Sequence, residues 1–494
     1  MSERIEIVGY APDADPTNPG VLTDCTAMVP ALKGFLGAPA AATTGVVTLA
    51  AKALGAAVIR KLDNTTRLFA GTQTKIYEAG ATSWTDQTRA SGAYTGGSQS
   101  IWRFCQFGNV TIAAQKQDLI QSSTSGAFAD ISAAPKAKIV ETVNQFVFAF
   151  DTNEATYGDS PDRWWCSGLG DQTIWTPAVA TQAATGRLTA TPGPITAGRR
   201  LGDNIVVYKD RGVFVGVYVG PPTIWAFQEI SSEVGAPTQE AVVPITKMGG
   251  GMAHIFMGYE NFYFYDGSIP IPVPGWEQVV DTFFADLNRN FSNLTSTVHD
   301  RAKGRIYFYY VSIAQTTGVL DKCLVYNYRS GKWGRDNRTI EAGLEYIAAG
   351  TTYNGLGALY STYNDMPNVP YDSPFWVANA PSPAIIDNTH LLQTLTGQTS
   401  SCDFTTGDLG EEDRMSILTR ARLEYITAPT TATMTNYYRQ NGRGDSLTTD
   451  ATATEASRRF DVLREAKWHR LKFSFTGNVE VDKLIPDIQA TGIE

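Results

Sequence analysis

From about residue 45 to about 370 the chain alternates short apolar-polar runs with Gly, Asn and Asp breaks. Val46–Ala51 and Ala57–Arg60 head the series. Asn204–Lys209 and Gly212–Tyr218 lie on either side of Asp210-Arg211. Runs of β-branched and aromatic residues bounded by turn formers predict short strands joined in hairpins. In Tyr326–Trp333 a strand ends at Ser330-Gly331 and Trp333 opens the next. Propeller blades take about 40–50 residues each, so this stretch holds a β-propeller of six or seven blades.

Three regions depart from that pattern. Residues 1–44 carry Pro12, Pro16 and Pro19, which remove donors and bias their neighbours to extended geometry. They predict an extended, interface-forming arm that either closes the propeller or contacts a neighbouring subunit, with Val21, Leu22, Val29, Leu32 and Phe35 available for burial. Trp276–Phe291 places Val279, Val280, Phe283, Phe284, Leu287 and Phe291 on one face at helical spacing and predicts a single helix. Residues 376–494 lose the blade rhythm. In Arg414–Ile426, Met415, Ile417, Thr419, Ala421, Leu423 and Tyr425 alternate with polar positions, and Leu471, Phe473 and Phe475 share a face. That region predicts a separate β-sandwich-like platform domain, leaving 45–375 to the propeller.

Composition narrows the chemistry. The 494 residues carry 40 Lys and Arg against 49 Asp and Glu, a net charge of −9, which argues against a protein that grips DNA phosphates. The opening residues lack an apolar segment, which predicts no signal peptide, and no apolar run predicts a membrane span. Cys25, Cys105, Cys166, Cys323 and Cys402 are five in number and widely spaced, which predicts buried thiols rather than a disulfide framework. His254, His299, His390 and His469 form no metal-binding pair.

Reaction motifs are missing as well. The sequence holds no hydrolase nucleophile elbow and no phosphate loop. Gly249-Gly250-Gly251 precedes a strand-like run and reads as a turn. Asp171–Trp175 and Ser83–Asp86 are fragments of a sialidase-type turn only. Asp13 and Asp15 read as a solvated loop rather than calcium ligands. Arg443-Gly444-Asp445 reads as an exposed turn. Arg439, Arg443, Arg458, Arg459, Arg464, Lys467, Arg470 and Lys472 gather near acidic Asp403, Asp408 and Glu411–Asp413. They read as a salt-bridged face, with an acidic partner or DNA as the other reading. No catalytic, cofactor-binding or metal-binding residue is assigned.

Several segments resemble the tail-hub or nozzle proteins of short-tailed bacteriophages, also called packaged-DNA stabilisation proteins. They are Asp13–Leu22 with Val29–Gly34, Arg163–Ser167 followed by Asp171–Trp175, and Ala285–Asn288 with Val298–Asp300 and Gly304–Tyr310. Cys323–Trp333 completes the set. The resemblance implies a propeller flanked by a platform or sandwich domain, in a ring, as a hexamer, below the portal and adaptor. It implies a structural virion protein without catalytic residues or cofactor. The ring would retain packaged double-stranded DNA and conduct it during ejection without sequence-specific binding, alongside tail fibre or spike proteins. A net acidic subunit suits passage, because each phosphate neutralised adds affinity. The alternative is a tail-associated carbohydrate-binding or glycosidase propeller, suggested by abundant Trp and Tyr and by carboxylates in turns.

Overall fold

A computed structural model describes residues 4–63, 65–247, 249–347, 362 and 381–493. The chain is mainly β. Seven four-stranded antiparallel meanders make a closed propeller, and two further sheets make a sandwich fused to it. Among the described residues no helix is long and apolar enough to cross a membrane.

The blades follow the chain in order. Blade 1 begins at Ala56–Arg60, blade 2 at Arg103–Phe107, blade 3 at Lys136–Val143 and blade 4 at Ile195–Leu201. Blade 5 begins at Val242–Thr246, blade 6 at Ser296–Asp300 and blade 7 at Ile340–Tyr346. Each of these inner strands lies beside its two neighbours, and the seventh returns to the first. Apolar layers fill the gaps between blades: Phe148, Phe150 and Val207 between blades 3 and 4, and Tyr208, Phe256 and Val206 between blades 4 and 5. The hairpins are local. In blade 3, Val143 faces Phe146 across Asn144-Gln145, both at positive φ, the geometry that matches strand twist in two-residue turns.

The N-terminal residues give strands to three sheets, and one of these strands closes the propeller. Ala40–Thr43 supplies the outermost strand of blade 7, pairing with Leu392–Gly397. The ring is therefore closed by its own N-terminal region. Blade 7 also contains Ser382–Asp387, which pairs with Ile340–Tyr346. A boundary at 375 thus divides this blade, because turn-rich residues after 380 pair backwards with a strand before the boundary.

The sandwich draws on both ends of the sequence. One sheet pairs Val21–Thr26 with Ser401–Gly410, and continues through Trp468–Thr476 and Thr431–Arg439 to Thr448–Thr454. The other joins Phe35–Gly37, Glu480–Ile493, Arg414–Thr427 and Phe460–Ala466. Met28–Pro30 extends this second sheet onto the outer strand of blade 6 through Arg335 opposite Met28. Phe404, Phe473 and Phe475 face Leu418, Leu423 and Val481 in the shared core. Gly407 permits a close backbone contact. An added Cβ would lie 2.0 Å from the Pro16 carbonyl oxygen, which accepts the Asp408 N–H.

Three local expectations need correction. Val46–Ala51 is not a strand: Val46 and Leu49 are buried as a loop between blades 7 and 1, and the Leu49 N–H donates to His390 O. Trp276–Phe291 is not one helix. Only Val280–Asp286 is α-helical, flanked by 3-10 turns. Leu287 turns extended to bridge Ser312, and Asn288 caps the following turn. The alternation of Arg414–Thr427 also breaks. Its register slips between Leu418 and Arg420 against both neighbours. An extra residue in one strand moves later side chains to the other face. Ser416 and Leu418 are therefore buried together with Ala421 and Leu423, while Met415, Ile417 and Thr419 are not fully buried.

Candidate functional site

Toward the propeller axis, charged side chains from different blades pair with one another. Arg103, at the start of blade 2, reaches Glu240 in the turn before blade 5. Its Nε and Nη2 donate to Oε1 and Oε2 at 2.9 and 2.8 Å. Arg103 Nη1 donates to Lys138 O in blade 3 at 2.9 Å. Thr297 Oγ1, from blade 6, donates to Glu240 O at 2.6 Å. The Arg103–Glu240 pair thus ties blades 2, 3, 5 and 6 across the axis. Bidentate arginine–carboxylate pairs fix geometry as well as energy.

Electrostatics separates the two axial glutamates. Burial pushes Glu240 up, but the Arg103 guanidinium and the Thr238 hydroxyl overcome it, so Glu240 sits below its ordinary value. Glu141 is raised by burial, with Arg199 opposing from 3.7 Å. Two carboxylates held apart in this way are a pattern of acid–base sites. Here no substrate space accompanies it. The adjoining cavity is about 80 Å³ and is lined by Lys52, Trp102, Glu240, Thr295 and Glu341. Small-molecule binding pockets run to about 300–1,000 Å³. Glu341 is itself engaged by the Ala53 N–H at 2.8 Å and by His390 at 2.8 Å.

Other titratable groups are committed to packing. His254 is fully buried, its Nδ1 2.8 Å from the Tyr208 hydroxyl and its Nε2 2.9 Å from Arg200 O. Burial holds it down at about 4, and burial with Arg301 and Arg329 holds His299 at about 3. The five thiols are buried and unpaired, and burial raises all of them. Low-reactivity thiols follow from such surroundings. Among the described residues no three His, Cys, Asp or Glu gather as a metal site would.

The structure also places the clusters read from sequence. Arg439 and Arg470 both bind the buried Asp408, at 2.7 and 2.8 Å. Arg464 pairs with Asp450, Arg459 with Asp461, Lys472 with Asp403, and Arg443 with Asp15. The acidic and basic groups of the sandwich thus largely neutralise one another. Asp13 accepts the Asp281 and Thr282 N–H groups at 2.7 and 3.1 Å, capping a helix 268 residues away. Gly250 and Gly251 occupy a turn at positive φ before Met252–Met257. Asp171 closes a local turn on Thr173, and Trp175 is buried. Neither glutamate of the axis was singled out by the sequence, because its partner arrives from another blade.

Two larger clefts flank the propeller–sandwich junction. One, of about 570 Å³, is lined by Thr431, Thr433, Ser474, Thr476, Asp403 and Phe475, among others. The other, of about 440 Å³, lies by Leu36, Pro39, Asp300 and Glu480.

No family model matches this sequence, and no curated protein matches it. Among solved structures, YCF48 bound to D1 peptide aligns at 11% identity and TM-score 0.36, over 70% of this chain and 95% of that one. The N-terminal domain of Nup159 aligns at 9% and 0.32, over 79% and 98%. Exo-beta-1,3-galactanase from Phanerochaete chrysosporium aligns at 9% and 0.28, over 91% and 100%. Likenesses this weak carry no functional argument. The chain's own strand pairing defines its class, a seven-bladed propeller with a fused sandwich.

Proposed function

We propose that the chain is a structural subunit of a bacteriophage tail hub or nozzle, a virion protein that assembles as a ring, as a hexamer, beneath portal and adaptor. In this reading the ring holds back packaged double-stranded DNA and lets it pass on ejection. This reading gives it no catalytic role. The observation that carries the structural part is the axis: Arg103 pairs with Glu240 and Arg199 with Glu141 beside a cavity too small for a substrate. The sandwich charges are likewise paired, and a net −9 per chain disfavours tight phosphate binding. The resemblance of Ala285–Tyr310 and Cys323–Trp333 to tail-hub proteins supplies the assembly. Negative-stain imaging of the purified chain, alone and with a portal–adaptor complex, tests this. Six-fold rings are expected. A chain that stays monomeric beside portal and adaptor overturns the reading.

A second reading is carbohydrate binding at the 570 Å³ cleft, whose hydroxyl lining suits a sugar. Asp403 is the only carboxylate lining it and pairs with Lys472 at 3.2 Å. That composition favours a binder over a hydrolase, which needs two carboxylates. Glycan-array binding lost on Thr433→Trp supports this second reading, and a blank array removes it.

A further inference from the structure

Blade 4 differs from the other blades at its rim. Its last two strands are Gly212–Gly220 and Ile224–Ser231, nine and eight residues long. The outer strands of blades 1, 2, 3 and 5 have three, two, four and two residues. Blade 6 is covered by Met28–Pro30. Blade 7 ends in the four-residue Ala40–Thr43. One face of the blade 4 hairpin packs on blade 3, with Trp225 against Phe146 and Phe148 and Phe227 against Trp164, while its outer strand is the longest outer strand among the described blades. Val217 and Val219 are 42% and 53% exposed, and Ala226, directly opposite Val217, is exposed as well.

The outer side of Ile224–Ser231 pairs with nothing among the described residues. Proteins usually blunt such an edge with Lys, Pro, a bulge or a short strand. Pro221 and Pro222 precede this strand rather than interrupt it, and it contains no Lys. Register slips sit near its ends, at Tyr218/Gly220 and Val213/Phe214, and leave Trp225–Glu229 regular. Only Glu229 is charged, and the exposed Glu233 follows it.

We infer that this edge captures an extended segment of a partner protein by strand addition, one with alternating apolar residues and basic residues between them. Unpaired main-chain donors and acceptors in a row are satisfied only by another extended backbone. Val217 and Ala226 offer an apolar face to every second side chain of the added strand. Glu229 and Glu233 select basic residues and reject acidic ones. The inference does not depend on the tail-hub reading, since strand capture and ring symmetry are measured separately.

The test uses the full chain and a synthetic eight-residue peptide, Arg-Thr-Val-Arg-Val-Thr-Val-Arg, followed by amide hydrogen exchange. Roughly millimolar peptide is expected to slow exchange across 225–229 by about tenfold. The same peptide with its two central residues replaced by Pro is expected to give no slowing. Glu229→Lys, an exposed substitution that leaves the unfolding midpoint in place, should weaken the Arg peptide at least fivefold. It should also admit a version with Glu at each Arg position. No slowing at 225–229, equal slowing by the Pro peptide, or indifference to Glu229→Lys each overturns the inference. Rings without strand capture would leave the hub reading standing, and strand capture without rings would leave this one.

Discussion

The propeller and the sandwich are both antiparallel β-structure, yet they recruit their strands over very different distances. In blade 3, Val143 pairs with Phe146 across two residues. In the sandwich, Ile5 pairs with Leu484 and Leu22 with Thr406. Blades can form from local hairpins, whereas the sandwich needs both ends of the chain before either sheet is complete. Loop closure of that length has an entropic cost that local turns avoid. The N-terminal region is shared, since it gives strands to both sandwich sheets, to the blade 6 edge and to blade 7. The locally built part is thereby locked by the non-local one.

That contrast is broken most strongly by starting the chain at residue 44. Both sandwich sheets then lose strands and blade 7 loses its outer one. Hydrogen exchange is expected to show the sandwich unprotected while blades 2 to 4 stay protected. Uniform loss of protection would mean that the two parts fold as one unit. Trp333→Ala comes next. Trp333 is fully buried where blade 6 meets the sandwich, with its Nε1 donating to Gly275 O at 2.8 Å. Denaturant titration should show a loss of about 3–5 kcal/mol, felt in both parts.

Glu240→Ala acts on the propeller alone. It leaves the buried Arg103 without its carboxylate and should cost about 3 kcal/mol by the same titration. Adding Arg103→Met should restore part of that loss, because the stranded charge is then gone. Acidity gives a graded version. The unfolded His254 takes its proton near 6.5 and the folded one at about 4. Between those values the unfolded state holds more protons, so stability falls as pH falls through the window. Midpoints measured at steps from pH 7 to pH 4 should show this slope, and His254→Gln should flatten it. The smallest effect is Asp13→Ala, which uncaps Val280–Asp286 from the N-terminal region and should lower the midpoint by about 1 kcal/mol.

How much was legible follows the same division. The strands around Asp210-Arg211 and the Ser330-Gly331 turn ending at Trp333 were readable, since pattern and partner lie within a few residues. Arg414–Thr427 was readable as a strand but not in its facing. The slip near Thr419 depends on two neighbours that the local pattern does not reveal. The broken helix after Trp276 fails for a related reason: Asp13 and Ser312, both distant in sequence, decide where it starts and stops. At the axis, Arg103 and Glu240 carry no motif. Their pairing is made by ring closure.

The sequence by itself determined the material of this protein: strand-forming runs, tight turns, thiols placed for burial and a charge balance unsuited to gripping DNA. Those are properties of single residues and near neighbours. Tertiary structure alone decided the blade count, the use of Ala40–Thr43 to close the ring, the pairing of each axial charge and the open edge of blade 4. Each of these depends on which strand lies beside which, and in a β-protein that choice is made by contacts between distant parts of the chain.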